Sequence, residues 1–298
     1  MTGKDNLLKG HLVICGWKQE MSTLVLDLLS LNKQWQPNDV VIVAKVSSSI
    51  IGEFQRDPLL AQAHIIREEH FNEKFLVQAG INQASKIMIL ADWSNKNESA
   101  TETDAKTVMA AMTIKKLAPQ VYVIAELLDL SFTVYLKMAN VDEIIYSREY
   151  SRILLANSVS SAGIAHVVYD LLDVQKDCKL DALPISDQYV GKTFGELCHH
   201  LEEDEKIICI GVLENTGNLR ALKKQALAEA QKSPEMRTVL AGLKHVREIE
   251  ANIPKLNPGD DYILSANSRV VILRSSRDQE KNPINPSPHL VTHSEEAS

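Results

Sequence analysis

The chain has 298 residues, of which 45% are hydrophobic and 24% are charged, so its length and composition suit a globular protein with room for two domains. Its formal net charge of −7 argues against nucleic-acid binding, because neutralising phosphates requires a clustered basic surface. No stretch reaches the ~18 apolar residues that span a bilayer and the start has no apolar signal-peptide core, so the chain is expected to be soluble and cytoplasmic.

Short runs rich in valine and isoleucine alternate with longer segments of helical period in the first half of the chain. Strands are predicted at 11–15, 40–44, 63–66, 86–91, 121–125 and 142–145. Helices are predicted at 19–32, 47–56, 70–79, 102–118 and 129–140. Continuous apolar strands joined by helices indicate right-handed crossovers and a parallel sheet that is covered on both faces. Residues 1–146 are therefore predicted to form a Rossmann-like, doubly wound α/β domain, with ligands at the carboxyl ends of its strands.

The segment that follows, 147–177, is strongly apolar as far as residue 174. Its spacing predicts two helices, with a break at the run of small residues from Ser160 to Gly163. Such a helix pair is too apolar to lie bare on a surface. It either packs back on its own domain or crosses to a second subunit, and the pattern alone leaves both alternatives open.

A change of pattern at residue 178 predicts a small α+β domain over 178–274, with short strands and a helix over 194–202. Residues 222–250, with mixed charge and weak apolar content, are expected to form an exposed insertion in this domain. The tail, 275–298, has several prolines and few large apolar residues, which predicts disorder.

The four cysteines, Cys15, Cys178, Cys198 and Cys209, show no C-x-x-C spacing. The sequence therefore suggests neither a zinc site nor a redox pair, and it predicts reduced thiols that are mostly buried.

The first predicted strand runs into a glycine turn, as in dinucleotide-binding proteins. A G-x-G-x-x-G motif that begins at Gly16 would place its other glycines where this chain has Lys18 and Met21. The acidic residue that binds the ribose should end the second strand, but Lys45 stands there, and an ammonium group accepts no hydrogen bond. NAD in its usual pose is therefore disfavoured.

An anionic ligand remains possible at the same turn. The first helix presents free backbone N–H groups there, and Lys18 and Lys45 add positive charge that suits a nucleotide phosphate. The alternative is that both lysines are solvated residues at the rim.

Carboxylates near the strand ends offer a second kind of ligand site. Asp92 follows the fourth strand, Glu126 and Asp129 follow the fifth, and Glu69 follows the third. Several oxygen ligands that converge from one sheet edge would suit a hard cation such as Ca²⁺. The alternative is that these acids only flank helix N-termini, which attract negative charge in any case. No nucleophile elbow, H-E-x-x-H helix or P-loop is present, so nothing in the sequence recommends an enzyme.

Five segments together resemble the RCK (regulator of potassium conductance) family, which pairs a TrkA-N domain with a TrkA-C domain. They are HLVICGW (11–17), LVQAGINQASKIMILAD (76–92), VYVIAELLDLSFTVYLKMANVDEII (121–145), PISDQYVGKTFGEL (184–197) and NPGDDYILSANSRVVIL (257–273). The resemblance covers roughly residues 9–274, and the start of the chain is most similar to channel-attached members.

The resemblance implies a non-enzymatic regulatory domain on the cytoplasmic side of a membrane. It implies that the chain forms a homodimer through 147–174 and a higher ring. It also implies that this gating ring controls a membrane pore domain, which this chain does not contain. The free regulatory subunit of a Trk- or Ktr-type cation transporter is the alternative, and an NAD(P)-dependent enzyme is a third reading. In calcium-gated members one aspartate ends the fourth strand and two glutamates follow the fifth, and only Glu126 aligns directly with that set.

The expected ligand residues follow from these two lines of argument. Contacts to an anionic nucleotide are expected at Gly16, Trp17, Lys18, Lys45 and Asp92. A divalent cation such as Ca²⁺ is the alternative ligand, and it is expected at Glu126, Asp129 and Glu69. Trp17 is expected to cover the turn.

Overall fold

The computed structural model describes residues 8–92, 94, 97–173, 175–205, 207–230, 242, 246 and 249–275. The predicted disordered tail lies outside these residues except for Ser275, and so does most of the predicted insertion 222–250. Among the described residues, no helix combines the length and the apolar character that crossing a bilayer requires.

The first half of the chain forms a six-stranded parallel sheet. Its strands are β1 (Leu12–Cys15), β2 (Val40–Val43), β3 (His64–Ile66), β4 (Lys86–Ile89), β5 (Tyr122–Leu127) and β6 (Glu143–Tyr146). They lie in the order β3-β2-β1-β4-β5-β6, and every neighbouring pair is parallel. All six predicted strands are present, and the predicted α/β fold is confirmed.

Five helices connect these strands, at or near the predicted positions. They are α1 (Met21–Leu31), α2 (Ser48–Phe54), α3 (Glu73–Gln78), α4 (Ala100–Leu117) and α5 (Thr133–Met138). The prediction of a helix from residue 129 is wrong, because the Asp129 carboxylate accepts the Ser131 N–H and caps a separate 3₁₀ turn, Leu130–Phe132. The predicted start of the third helix is also too early, because Asn72 caps it and accepts the Lys74 N–H at 3.0 Å.

The sheet is buried on both faces, and this explains why its strands read as unbroken apolar runs. Along β1, Val13 and Cys15 face one core, whereas Leu12 and Ile14 face another. The first core contains side chains of α3, α4 and α5, and the second contains side chains of α1 and α2. The edge of the sheet where ligands are expected is therefore packed from both sides.

Two helices follow β6, namely α6 (Ser147–Ser160) and α7 (Ile164–Leu172). The predicted break falls between them, where Gly163 adopts a φ of +88° that other residues avoid. Neither helix contains a buried residue. Their apolar side chains are exposed, and Val159 retains 89% of its accessible surface.

The second sheet has four antiparallel strands: β7 (Cys178–Pro184), β8 (Ile208–Glu214), β9 (Ile253–Leu256) and β10 (Arg269–Ser275). Their order is β7-β10-β8-β9. Helix α8 (Phe194–Glu205) covers this sheet, and α9 (Leu219–Ala230) follows β8.

The second half of the chain also contacts the amino-terminal edge of the first sheet. Asn252 donates a hydrogen bond to the Tyr122 hydroxyl at 2.8 Å. Asn218 donates to the Asp142 carboxylate at 3.2 Å, and Lys137 lies 2.5 Å from a carboxylate oxygen of Glu250. These bonds fix the second half of the chain to the edge opposite the strand ends where ligands are expected.

Candidate functional site

The turn after β1 depends on Gly16. Its φ is +96°, and a Cβ there would lie 3.0 Å from the Leu90 carbonyl oxygen. Its N–H donates to the Val43 carbonyl oxygen at 2.9 Å, so the turn is fixed against β2 as well as β4. A side chain at this position would therefore be strained by the backbone angle and crowded by the Leu90 oxygen.

Replacing Gly16 with alanine is expected to lower the free energy of unfolding by about 1–3 kcal/mol, because alanine at this φ is strained and meets the Leu90 oxygen. Denaturant unfolding measures the change. Gly52 is the matched control, since it lies within α2 and a Cβ there would meet nothing within 4 Å. Gly52→Ala should leave stability unchanged or raise it, and equal losses in both variants would contradict the argument.

Trp17 and Asp92 meet directly next to this glycine. The Trp17 N–H donates to Asp92 Oδ1 at 3.0 Å, and the Trp17 ring is buried edge-on against Phe54 at 5.3 Å between centroids. Asp92 also accepts the Ser94 N–H at 3.0 Å and the Ser94 hydroxyl at 2.7 Å. Asp92 therefore clamps the β1 turn to the end of β4.

Lys18 and Glu126 form an ion pair across the end of the sheet. Their nearest atoms, Lys18 Nζ and Glu126 Oε1, are 2.6 Å apart. The second oxygen of Glu126 accepts the Ala91 N–H at 2.9 Å, and the Glu126 side chain is 9% exposed. The pair spans the point where the strand order reverses between β1 and β4, which is where open α/β sheets bind ligands.

A cavity of about 370 Å³ lies at this reversal point. Its lining includes the ion pair, a second carboxylate and a floor of apolar strand residues: Lys18, Glu20, Leu24, Met88, Ile89, Leu90, Ile124, Glu126 and Ile145. Two carboxylates and one ammonium give the lining a negative charge.

Lys45 and Glu69 were assigned to different ligands, but they bind each other. Lys45 Nζ lies 3.0 Å from Glu69 Oε1 at an exposed position. The hydrogen bond to Glu69 raises the pKa of Lys45, and Coulombic attraction by Glu69 adds to it. The two residues lie at neighbouring strand ends, after β2 and β3, so their contact follows from the sheet order.

Asp129 and Glu126 have different hydrogen-bond partners. Its carboxylate caps the 3₁₀ turn, and this hydrogen bond from the Ser131 N–H lowers its pKa. In the described part of the chain, no three His, Cys, Asp or Glu side chains are grouped so that they could hold a metal ion. Glu126, Asp129 and Glu69 each have a different partner, so the three-carboxylate site stays a prediction.

His70 is a feature that the sequence did not single out as functional. It is fully buried, and within the described structure neither ring nitrogen has a hydrogen-bond partner. Its Nδ1 lies 3.6 Å from Asp92 Oδ2. Burial lowers the pKa of His70, although the charges of Asp92 and Glu69 oppose this shift. The only sequence signal was its place in the run Glu68, Glu69, His70 after β3.

The lowered pKa of His70 predicts a loss of stability in mild acid. The neutral imidazole is favoured in the folded state, so its contribution is fully present above the unfolded-state pKa of about 6.5 and is lost as the pH falls through the lower folded-state value. The expected slope is up to about 1.4 kcal/mol per pH unit. Denaturant unfolding between pH 5 and 8 measures it.

Two variants isolate the contribution of His70 to this slope. His70→Phe should flatten it, whereas His64→Gln, at an exposed position, should keep it. A native slope in His70→Phe would assign the acid sensitivity to other groups.

Comparison with known proteins shows what the amino-terminal part of the chain is similar to. Residues 7–125 match the family model of the calcium-activated potassium channel slowpoke-like RCK domain. The calcium-gated potassium channel TvoK of Thermoplasma volcanium is 23% identical over 69% of this chain and 56% of its own length. The "Putative potassium channel protein YugO" of Bacillus subtilis is 28% identical over 70% of this chain and 60% of its own.

The fold also matches a solved structure. The human SLO3 gating ring superimposes with a TM-score of 0.57 at 14% identity, over 91% of this chain and 45% of that one. The chain spans little more than half the length of the two relatives, 56% and 60%. The resemblance inferred from the sequence is thus confirmed, since residues 7–125 match an RCK family model.

Proposed function

We propose that this chain is the ligand-sensing regulatory part of a potassium or related cation channel, on the cytoplasmic side of the membrane. The main support for this proposal is the RCK match over residues 7–125. These residues contain Lys18 and most of the residues that line the cavity at the strand reversal. In this proposal a ligand enters the cavity and the resulting strand movement is passed to a pore domain.

The Lys18–Glu126 pair controls entry to the proposed site. An anion must draw Lys18 away from Glu126, and a cation must displace Lys18 from it, because the 2.6 Å contact occupies both groups. Either event leaves Glu126 held only by the Ala91 N–H at the end of β4. Ligand binding is therefore coupled to the relative position of β4 and β5.

Self-association is the second element of the proposal. Both α6 and α7 expose large apolar side chains, and apolar surfaces of this kind mark interaction sites. A homodimer through 147–174 would cover them, and further contacts would build a ring. A symmetric pair buries the same patch twice.

A divalent cation, with Ca²⁺ as the probe, is the ligand class that the charge balance favours. Two carboxylates, Glu20 and Glu126, line the cavity, and carboxylate oxygens are the ligands that Ca²⁺ prefers. Because the described side chains offer no group of three carboxylates, histidines or cysteines, binding should be weak, in the millimolar range. No step of the proposed gating depends on which ion binds.

Millimolar Ca²⁺ is expected to raise the melting temperature of the chain through Glu126. Lys18→Met should strengthen this effect, because it removes the competing ammonium, and Glu126→Gln should abolish it. A nucleotide would behave in the opposite way, with weaker binding in Lys18→Met and Lys45→Glu. Calorimetry with Ca²⁺ and with ATP separates the two ligand classes. Equal Ca²⁺ responses in the native chain and Glu126→Gln would contradict the cation site.

A reconstituted channel tests the proposed function itself. The chain is fused beneath the pore of a potassium channel whose own regulatory domain has been removed, and rubidium flux into liposomes is measured with and without Ca²⁺ or ATP. A several-fold ligand-dependent change in flux is expected. A flux that ignores both ligands would contradict the channel assignment.

The same liposome assay separates the channel from the transporter alternative. If the chain responds only when it is added in trans to a Trk- or Ktr-type subunit, it is a free regulatory subunit. The third reading is an NAD(P)-dependent enzyme. It is disfavoured because lysines stand at two positions of the dinucleotide motif, and both Lys18 and Lys45 are held in ion pairs.

A further inference from the structure

Strand β8 contains a local irregularity that changes which of its residues face the core. Its pairing with β10 joins Gly211 to Val271 and then Cys209 to Ile272, so Ile210 is skipped. This is a β-bulge, which re-aims the side chains beyond it. Without it, Ile208 would share the inward face of Val212.

The bulge turns Cys209 toward the core instead. Ile208 is 61% exposed, while Ile207 is buried and Cys209 packs against the core of the second sheet. The thiol of Cys209 is therefore brought to the side of the sheet that α8 covers.

Helix α8 presents its own cysteine to the same core. Phe194, Leu197 and Leu201 are the buried residues of its inner face. Cys198 lies four residues after Phe194 and three before Leu201, so it shares that face. It packs against the same core as Cys209.

The two side chains pack against one core from facing elements. Hydrogen bonding between the thiols lowers the pKa of Cys209 and raises that of Cys198, so Cys209 ionises first. Both residues keep part of their surface accessible to solvent. The sequence did not suggest this pair, because the residues are eleven positions apart and only the bulge aligns them.

The other two cysteines lack this combination. Cys15 is fully buried in the first sheet, and burial raises its pKa to about 12. Cys178 is exposed at the start of β7 and is not one of the residues of the α8–β8 core. Cys198 and Cys209 are partly buried, so the expectation of mostly buried thiols fails outright only for the exposed Cys178.

We propose that Cys198 and Cys209 form a redox site, a dithiol that exchange with a low-molecular-weight disulfide converts into an intramolecular disulfide. The Cys209 thiolate attacks the small disulfide, forms a mixed disulfide and releases one small thiolate. Cys198, after losing its proton, attacks the Cys209 sulfur and releases the second thiolate. Two protein thiols are oxidised, one small disulfide is reduced to two thiols, and the protons of the cysteines pass to the released thiolates.

The disulfide would tie α8 to β8 and restrict their relative movement. Disulfides of this kind in a reducing compartment are transient and act in redox sensing. The site is independent of the cavity at the strand reversal, so it adds a second input to the chain and does not rest on the proposed ligand.

Thiol mapping of the intact chain tests the proposal. The chain is equilibrated in buffers of glutathione and glutathione disulfide, free thiols are alkylated, and peptides are mapped by mass without reduction. The expected result is the loss of two of the four thiols and a peptide that joins Cys198 to Cys209, with no change in oligomeric state.

Two variants sharpen the result. Cys178→Ser, the matched control, should retain the joined peptide, and Cys198→Ser should stop at a glutathione adduct on Cys209. Glutathione adducts on Cys198 and Cys209 in the native chain without a joined peptide would overturn the proposal. A disulfide that involves Cys178 in place of either residue would overturn it as well.

Discussion

Replacement of Lys115 by methionine is expected to lower the free energy of unfolding by about 3–5 kcal/mol, because it leaves a buried carboxylate without its cation. Lys115 Nζ lies 2.5 Å from Asp142 Oδ2 and donates to the Val121 carbonyl oxygen at 2.8 Å. Both side chains are buried, and Asp142 also accepts the Val123 N–H at 2.9 Å. The variant removes one charge and keeps the other in a dry environment. Urea unfolding followed by circular dichroism measures the loss.

Lys116 supplies the matched control for this experiment. It is the next residue of α4, and it pairs with Glu73 at 3.3 Å, but both side chains are exposed. Exposed ion pairs contribute little, so Lys116→Met should unfold at nearly the native urea concentration. If the two variants lose the same free energy of unfolding, breaking the buried Lys115–Asp142 pair is not the cause of the loss. A double variant, Lys115→Met with Asp142→Leu, should recover part of the loss, since it removes both buried charges.

A glutamate in place of Val159 is expected to convert the proposed homodimer into a monomer. Val159 is 89% exposed in the single chain, and Leu155, one helical turn earlier, is 72% exposed. Burying such a side chain contributes about 1.5–3 kcal/mol, and a symmetric interface contains it twice. The loss should therefore weaken dimerisation by about a hundredfold or more. Light scattering after size exclusion, over a range of protein concentrations, measures the shift.

Val77 provides a control of the same residue type. It is also exposed, but it lies on α3 in the first domain. Val77→Glu should retain the native oligomeric state. A native chain that is monomeric at high concentration would contradict the crossover-helix dimer, as would a Val159→Glu variant that associates as the native chain does.

The sheet was predictable because burial on both faces leaves a direct mark in the sequence. Runs such as Leu12–Cys15 are apolar at every position, which few other structures require. Helix starts were harder, since they depend on local hydrogen bonds such as the Asp129 and Asn72 caps. Both residues favour caps, but the sequence does not show which of several candidates is used.

The sequence predicted where the charged residues of the candidate site lie, but it did not predict which residues they bind. Lys18 and Glu126 were assigned to an anion and a metal respectively, yet they neutralise each other across the reversal point. Lys45 and Glu69 were likewise assigned to an anion and a metal, yet they pair with each other. Sequence reasoning assigned a ligand to each charge separately, whereas the folded chain satisfies these charges with one another. The Cys198–Cys209 pair was missed for a different reason, because a one-residue bulge has no clear sequence signature.

Strand β5 takes part both in the candidate site and in the contact with the second half of the chain. Glu126, near its carboxyl end, closes the cavity with Lys18, and Tyr122, at its amino end, accepts the hydrogen bond from Asn252 of the second half of the chain. Four residues of extended backbone, about 13 Å, separate the two contacts. The strand is paired with β4 on one side and with β6 on the other. A single paired strand therefore connects the cavity to the contact with the second half of the chain.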